Sequence, residues 1–363
     1  MKGEAAPRPW NLVAELTYRC PLRCAYCSNP LDHASRRDAL STEDWARVFR
    51  EAALLGCVHV GLTGGEPAAR RDLAALVAAA AEAGLYVHLV TSGAGLDAAA
   101  LERLRDAGLR SVQLSLQDVD EAEADAMAGT EDHAAKLAFA AAVRASELPL
   151  VLNVVLQRRN LDRVPEIVAL ARRLDAERLE LANVQLHGWA LANRDALLPT
   201  RAQLERASEA VRAARREGRR PEILFVLPDY YADRPKPCMG GWGRKTLVVT
   251  PEGRVLPCHA AASLPALEFW SVPGRALRAC WEDAPGMNAF RGEGWLPEPC
   301  RSCPERGRDF GGCRCQAFAL AGDAAVTDPA CVLAPRHDVV LDARRAAERE
   351  PPPLRLRGRQ AQP

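Results

Sequence analysis

With 363 residues, 48% of them hydrophobic and 26% charged, the chain is long and apolar enough for one large core and a smaller one, which excludes a fibrous or wholly disordered protein. A formal net charge of +1 gives no bulk attraction for nucleic acid or an anionic membrane, and neither is expected as a partner. The 12 cysteines follow a polar lead, residues 1–10, that lacks the apolar core of a secretory signal; they point to a reducing, cytoplasmic setting and to metal ligation in place of disulfides.

Beyond the lead, short apolar or β-branched runs predict strands over 13–17, 58–63, 86–91, 111–116, 150–156 and 178–184. Ala/Leu/Arg-rich runs of helical period predict helices over 42–55, 70–83, 97–107, 132–146 and 161–174. Ser41, Thr42, Glu43 and Asp44 form a good N-terminal cap, and Gly56, Gly84 and Gly108 fall where helices should stop. The most apolar stretch, 73–90, carries Glu82, Gly84 and His88 and reads as helix then strand, not as a membrane span. Strands alternating with helices imply a parallel sheet with right-handed crossovers. Six such units make an open partial barrel over 11–227, and the pattern breaks after Val184. In barrels of this kind the chemistry gathers at the C-terminal ends of the strands.

The motifs follow that rule. Cys20-Pro21-Leu22-Arg23-Cys24-Ala25-Tyr26-Cys27 comes directly after the first strand. Three thiolates at this spacing can grip one face of an iron–sulfur cube and leave its fourth iron without a protein ligand. A zinc knuckle or a disulfide pair are the plainer alternatives, although a structural zinc asks for four closing ligands. Gly64-Gly65-Glu66-Pro67 follows the second strand, where glycines let backbone approach a ligand and Glu66 adds a carboxylate; a tight turn is the alternative. Thr91-Ser92-Gly93, Ser115-Leu116-Gln117, Asn153 and Gln157 close the next three strands and are ordinary loop polars or ligand contacts. His187 and Trp189 follow the sixth, where a structural histidine is the plainer reading.

A helix over 200–217 and a strand over 222–227 lead to Pro228 and Pro235-Lys236-Pro237-Cys238, which mark a domain boundary. Residues 228–340 are rich in Gly, Pro, Trp and Cys and would gain stability from metal clips. The tail, 341–363, has Pro351-Pro352-Pro353, several arginines and no apolar period, and is expected to be disordered.

Cys20-x3-Cys24-x2-Cys27, with an aromatic Tyr26 before the last cysteine, resembles the signature of radical S-adenosylmethionine (SAM) enzymes. The resemblance implies an α/β fold with a partial (β/α)6 barrel. It implies a [4Fe-4S] cluster on Cys20, Cys24 and Cys27, and SAM held near Tyr26, Gly64, Gly65, Glu66, Pro67, Ser92, Ser115, Gln117 and Asn153. The later cysteines resemble the small Cys-rich SPASM domain, which carries two auxiliary iron–sulfur clusters. In that pattern Asp309 stands where cysteine is usual, and Cys315 is extra. Ligand arithmetic then assigns Cys238, Cys258, Cys313 and Cys315 to one cluster and Cys300, Cys303, Asp309 and Cys331 to the other. Cys57 and Cys280 remain as small buried hydrophobes, and two structural zinc sites are the alternative for the eight ligands.

The runs 235–244, 297–304, 309–318 and 322–329 are similar to the peptide-cyclising family of pyrroloquinoline quinone (PQQ) biosynthesis. That resemblance implies a carbon–carbon bond between a glutamate γ-carbon and a tyrosine ring in a precursor peptide, PqqA. It also implies a peptide chaperone, PqqD, and a flavodoxin-type reductant. A SPASM enzyme making another cross-link on a different peptide, or a noncatalytic iron–sulfur scaffold, stand as alternatives. Gly64-Gly65-Glu66-Pro67 speaks against the scaffold, which has no need of it.

Overall fold

The computed structural model describes residues 6–358. Nine strands form one sheet: β1 Asn11–Glu15, β2 His59–Thr63, β3 Tyr86–Thr91, β4 Leu109–Leu116, β5 Leu150–Leu156, β6 Arg178–Asn183, β7 Glu222–Phe225, β8 Thr246–Val249 and β9 Val255–Leu256. Their order is β7-β6-β5-β4-β3-β2-β1-β8-β9, parallel throughout except for the β8–β9 hairpin. Between the strands run α1 Thr42–Leu55, α2 Leu73–Glu82, α3 Ala98–Asp106, α4 Glu121–Ala128, α5 His133–Ala145, α6 Val164–Arg173, α7 Gly188–Ala192, α8 Arg194–Leu197 and α9 Arg201–Arg216. After β9 come α10 Leu277–Glu282, α11 Pro285–Asn288, α12 Arg306–Asp309, α13 Arg314–Ala321 and α14 Asp338–Ala347.

Sequential strand order with a helix in each crossover gives the partial α/β barrel. In β1 the residues alternate: Leu12 and Ala14 are buried under the helices, while Asn11, Val13 and Glu15 are half-buried on the concave face. The first crossover shows why the helices sit where they do. Ser41 Oγ accepts from the Asp44 amide while the Asp44 carboxylate accepts from the Ser41 amide, a capping box that starts α1. Trp45, Val48, Phe49 and Ala52 then pack on the sheet until Gly56 stops the helix at a φ of 113°.

Three expectations change. The first strand starts two residues early, because its ladder to β2 and β8 begins at Asn11 and ends at Glu15. The boundary expected at 228 does not interrupt the sheet: β8 lies parallel to β1, Asn11 opposite Thr246 and Ala14 opposite Val249, and one core runs from Leu12 to Cys315. The tail is not disordered over 341–358. The buried face of α14 (Val340, Ala343, Ala347) packs on Leu198 and Tyr230, and the segment after it lies against the barrel. Burial there overrides a composition that alone argues for disorder. Residues 1–5 of the lead and 359–363 of the tail lie outside the described residues. Pro7 already belongs to the fold, its carbonyl accepting from Trp281 Nε1 at 2.8 Å.

Candidate iron–sulfur and SAM site

Cys20, Cys24 and Cys27 sit on the loop after β1, half-buried at the C-terminal mouth of the barrel. Backbone bonds from separate elements hold this loop. The Arg23 and Ala25 amides donate to the carbonyls of Ala128 and Met127 at the end of α4 (2.8 and 3.0 Å), and the Ala190 amide in α7 donates to Cys27 O (2.9 Å). Gly188 passes so close to the loop that an added Cβ would lie 1.8 Å from Asn29 O. Burial pushes the Cys20 thiol up to about 11, the nearby Glu66 charge adding to it, and burial also raises Cys24 and Cys27. Three partly desolvated thiols at one loop are poor thiolates alone and good ligands for iron, whose charge deprotonates a coordinating thiol outright. The donor set therefore fits a cluster.

Gly64-Gly65-Glu66-Pro67 is zipped to that loop. The Gly65 amide donates to Thr17 O (2.7 Å) and the Glu66 amide to Arg19 O (2.8 Å). A Cβ on Gly65 would lie 2.3 Å from Arg19 O, and one on Gly64, where φ is 137°, 2.6 Å from Thr17 O. No donor among the described residues is bonded to the carbonyl oxygens of Gly64 and Gly65, which leaves acceptors for an ammonium group.

The Glu66 side chain departs from expectation. It is 2% exposed, and its carboxylate receives four donors. Thr91 Oγ1 (2.6 Å) and the Ala68 amide (3.1 Å) reach Oε1; the Ser92 amide (2.8 Å) and Ser92 Oγ (2.6 Å) reach Oε2. A carboxylate has about four lone-pair positions, so none is left for a ligand. Glu66 ties β3 to the glycine turn, and the same bonds occupy the Ser92 hydroxyl proton. Pro67 is buried in the turn.

Gln117 is also engaged. Its Nε2 donates to the Tyr26 hydroxyl (3.0 Å), and its Oε1 accepts from Lys136 Nζ (2.6 Å), which lies 2.8 Å from Asp132. The Tyr26 hydroxyl, its titration pushed far up by burial, in turn meets the Cys24 thiol. A buried polar chain thus runs from α5 to a cysteine of the loop. Lys136 is missed by the sequence reading, although a lysine in line with Phe139, Ala140 and Val143 of α5, four residues after Asp132, is its signal. Ser115 and Asn153 stand opposite each other on β4 and β5, half-buried on the concave face, and Asn153 Nδ2 donates to Glu180 Oε2 at 3.2 Å.

The later cysteines gather into two sets. Cys258 and Cys315 stand 3.7 Å apart, and Cys238 and Cys313 hydrogen-bond within the same group, where bonds from Cys238 and Cys315 pull the Cys258 thiol below its usual range. Cys300, Cys303, Asp309 and Cys331 line one small pocket, with Arg234 Nη1 3.1 Å from Cys303 Sγ. Arg314 is fully buried beside the sets and donates to the carbonyls of Ala324 (2.9 Å), Val326 (2.7 Å) and Gly311. Neither arginine is flagged by spacing alone. Cys57 and Cys280 lie apart, in the core.

Residues 14–171 match the model of the Radical SAM superfamily. The chain is 51% identical over 353 residues to the PqqA peptide cyclase of Methylorubrum populi, covering 97% of this chain and 92% of that protein. It is 53% identical over 334 residues to the PqqA peptide cyclase of Methylocella silvestris, covering 92% and 90%. Its fold is similar to that of Streptococcus suis SuiB bound to S-adenosylmethionine, with a TM-score of 0.74 at 21% identity over 90% of this chain and 77% of that one. By the identity and coverage of these relatives, the chain belongs to the PqqA peptide cyclase family of radical SAM enzymes.

Proposed function

We propose that the chain is a cytoplasmic enzyme that joins a glutamate γ-carbon to a tyrosine ring carbon in a PqqA-type precursor peptide, an early step of PQQ biosynthesis. The observation that carries this reading is 51% identity to a PqqA peptide cyclase over 97% of the chain. When bound at Cys20, Cys24 and Cys27, a [4Fe-4S] cluster supplies the electron that cleaves SAM and so starts hydrogen abstraction from an unactivated carbon.

The chain's own residues hold and orient. The carbonyls of Gly64 and Gly65 would accept the SAM ammonium, and Ser115 and Asn153 would serve its carboxylate and ribose. Glu66 fixes Ser92 and the glycine turn in place. Tyr26 and Gln117 hold the Cys24 side of the loop. Cys238, Cys258, Cys313 and Cys315 would hold one auxiliary cluster. Cys300, Cys303, Asp309 and Cys331 would hold a second, with the Arg234 guanidinium beside Cys303. A PqqD-type chaperone would present the peptide, and a flavodoxin-type protein would supply electrons.

Joining the two carbons removes two hydrogens from the peptide. The test is anaerobic: reconstituted chain, reductant, SAM, PqqA and PqqD, followed by peptide mass and deoxyadenosine. A peptide lighter by two hydrogens, absent with Cys27→Ala, is the expected result. Deoxyadenosine without a mass change overturns the peptide assignment.

A further inference from the structure

After α14 the chain turns back across the three-cysteine loop. Asn193 pins it there: its side chain accepts from the Arg355 amide (2.7 Å) and donates to Arg355 O (2.8 Å) and to Ala25 O (3.0 Å). Leu354 packs into the small cluster of Ala25, Tyr26, Met127, Ala190 and Leu197. Three residues further on, Arg357 is 7% exposed, and its guanidinium donates to Cys20 O (3.2 Å) and to Leu22 O. Its Nε is buried without a partner, and no carboxylate pairs with it among the described residues. A buried cation with an unmade hydrogen bond is costly unless negative charge stands nearby. The two carbonyls it grips belong to the loop that carries Cys20, Cys24 and Cys27, so ligands deprotonated by a bound cluster would be the negative charge beside it.

We propose that Arg357 is a positioning residue for the barrel cluster, reaching back from the C-terminal segment to hold the Cys20–Leu22 backbone and to set a fixed positive charge beside the three thiolates. The proposal rests on the reading of Cys20, Cys24 and Cys27 as cluster ligands. Reduction adds an electron at the cluster, so a neighbouring fixed cation raises the potential at which it occurs. Nη2 alone reaches both carbonyls, and the rigid planar guanidinium fixes where the charge stands.

The test uses the full chain, reconstituted anaerobically, as wild type, Arg357→Gln, Arg357→Lys and a triple Cys20→Ala/Cys24→Ala/Cys27→Ala variant. Electron paramagnetic resonance follows a redox titration, and the barrel signal is the one missing from the triple variant. In Arg357→Gln the equilibrium for reducing that cluster should fall on the order of tenfold, which is about 59 mV for a one-electron couple. Arg357→Lys should keep a midpoint near wild type but lose iron faster to a chelator. An unchanged midpoint in Arg357→Gln, with or without iron loss, overturns the proposal, since a merely structural tie would leave the potential alone. Equal iron and identical spectra in the wild-type and triple-alanine chains would instead remove the ligand assignment, and the proposal with it.

Discussion

Glu66 shows how much a single side chain can bind together. Burial raises its titration, and the bonds from Ser92, Thr91 and Ala68 oppose that rise. Four donors for four lone pairs mean that even an isosteric change is felt. In Glu66→Gln the amide N–H groups must face donors on one side, leaving at least one buried donor unpaired. The expected loss is about 3 kcal/mol, read as a lower urea midpoint with an unchanged slope; an unchanged midpoint would show that the bonds are dispensable. Position in the sequence marked Glu66 as important, since an acid two residues after a strand-end glycine stands at the mouth. The direction of its side chain was not legible, because its partners, Thr91 and Ser92, come from another strand about 26 residues away.

At the scale of elements, the turn after β2 and the loop after β1 form one unit. Gly65→Ala would drive a Cβ into the Arg19 carbonyl, 2.3 Å away. Backbone is the obstacle and no side chain can swing aside, so the expected cost is at least about 3 kcal/mol. Anaerobic thermal melts of the variant should show it, together with loss of iron from the loop. Gly95→Ala is the control: nothing lies within 4 Å of an added Cβ there, and only backbone strain at a φ of 79° remains. The framework strands and long helices were readable from period and caps, β3 and β5 to the residue. The missed elements are short or highly charged: α4 (Glu121–Ala128) has no clear apolar stripe, α7 is five residues long, and β8 is a four-residue run. Two of these, α4 and α7, brace the three-cysteine loop. Short elements are stabilised by what they touch more than by their own pattern, so the bracing of the site was the least legible part of it.

The whole molecule has an acid limit set by histidines that folding keeps neutral. Burial lowers His33, edge-on to Tyr18 with ring centroids 4.9 Å apart, to about 4. Burial lowers His88 to about 4 as well, with the neighbouring His59 adding to the effect. In the unfolded chain each takes a proton near pH 6.5. Below that value the unfolded state binds more protons than the folded one. Stability is therefore full above about pH 6.5 and falls as pH drops towards 4, by up to about 1.4 kcal/mol per pH unit for each histidine. Urea midpoints across that window should slope downward in acid, and His88→Gln should flatten the slope by about half; a flat wild-type profile would remove this account. The pairing of β1 with β8 bears on synthesis. The first strand leaves the ribosome with the three-cysteine loop behind it, yet the neighbour on its outer side is not made until residue 249. Through that interval one whole side of β1 has unsatisfied backbone groups, an edge open to other nascent chains. The three-cysteine loop thus hangs from a strand whose place in the sheet is secured late, so its final geometry waits on residues more than two hundred positions further along the chain.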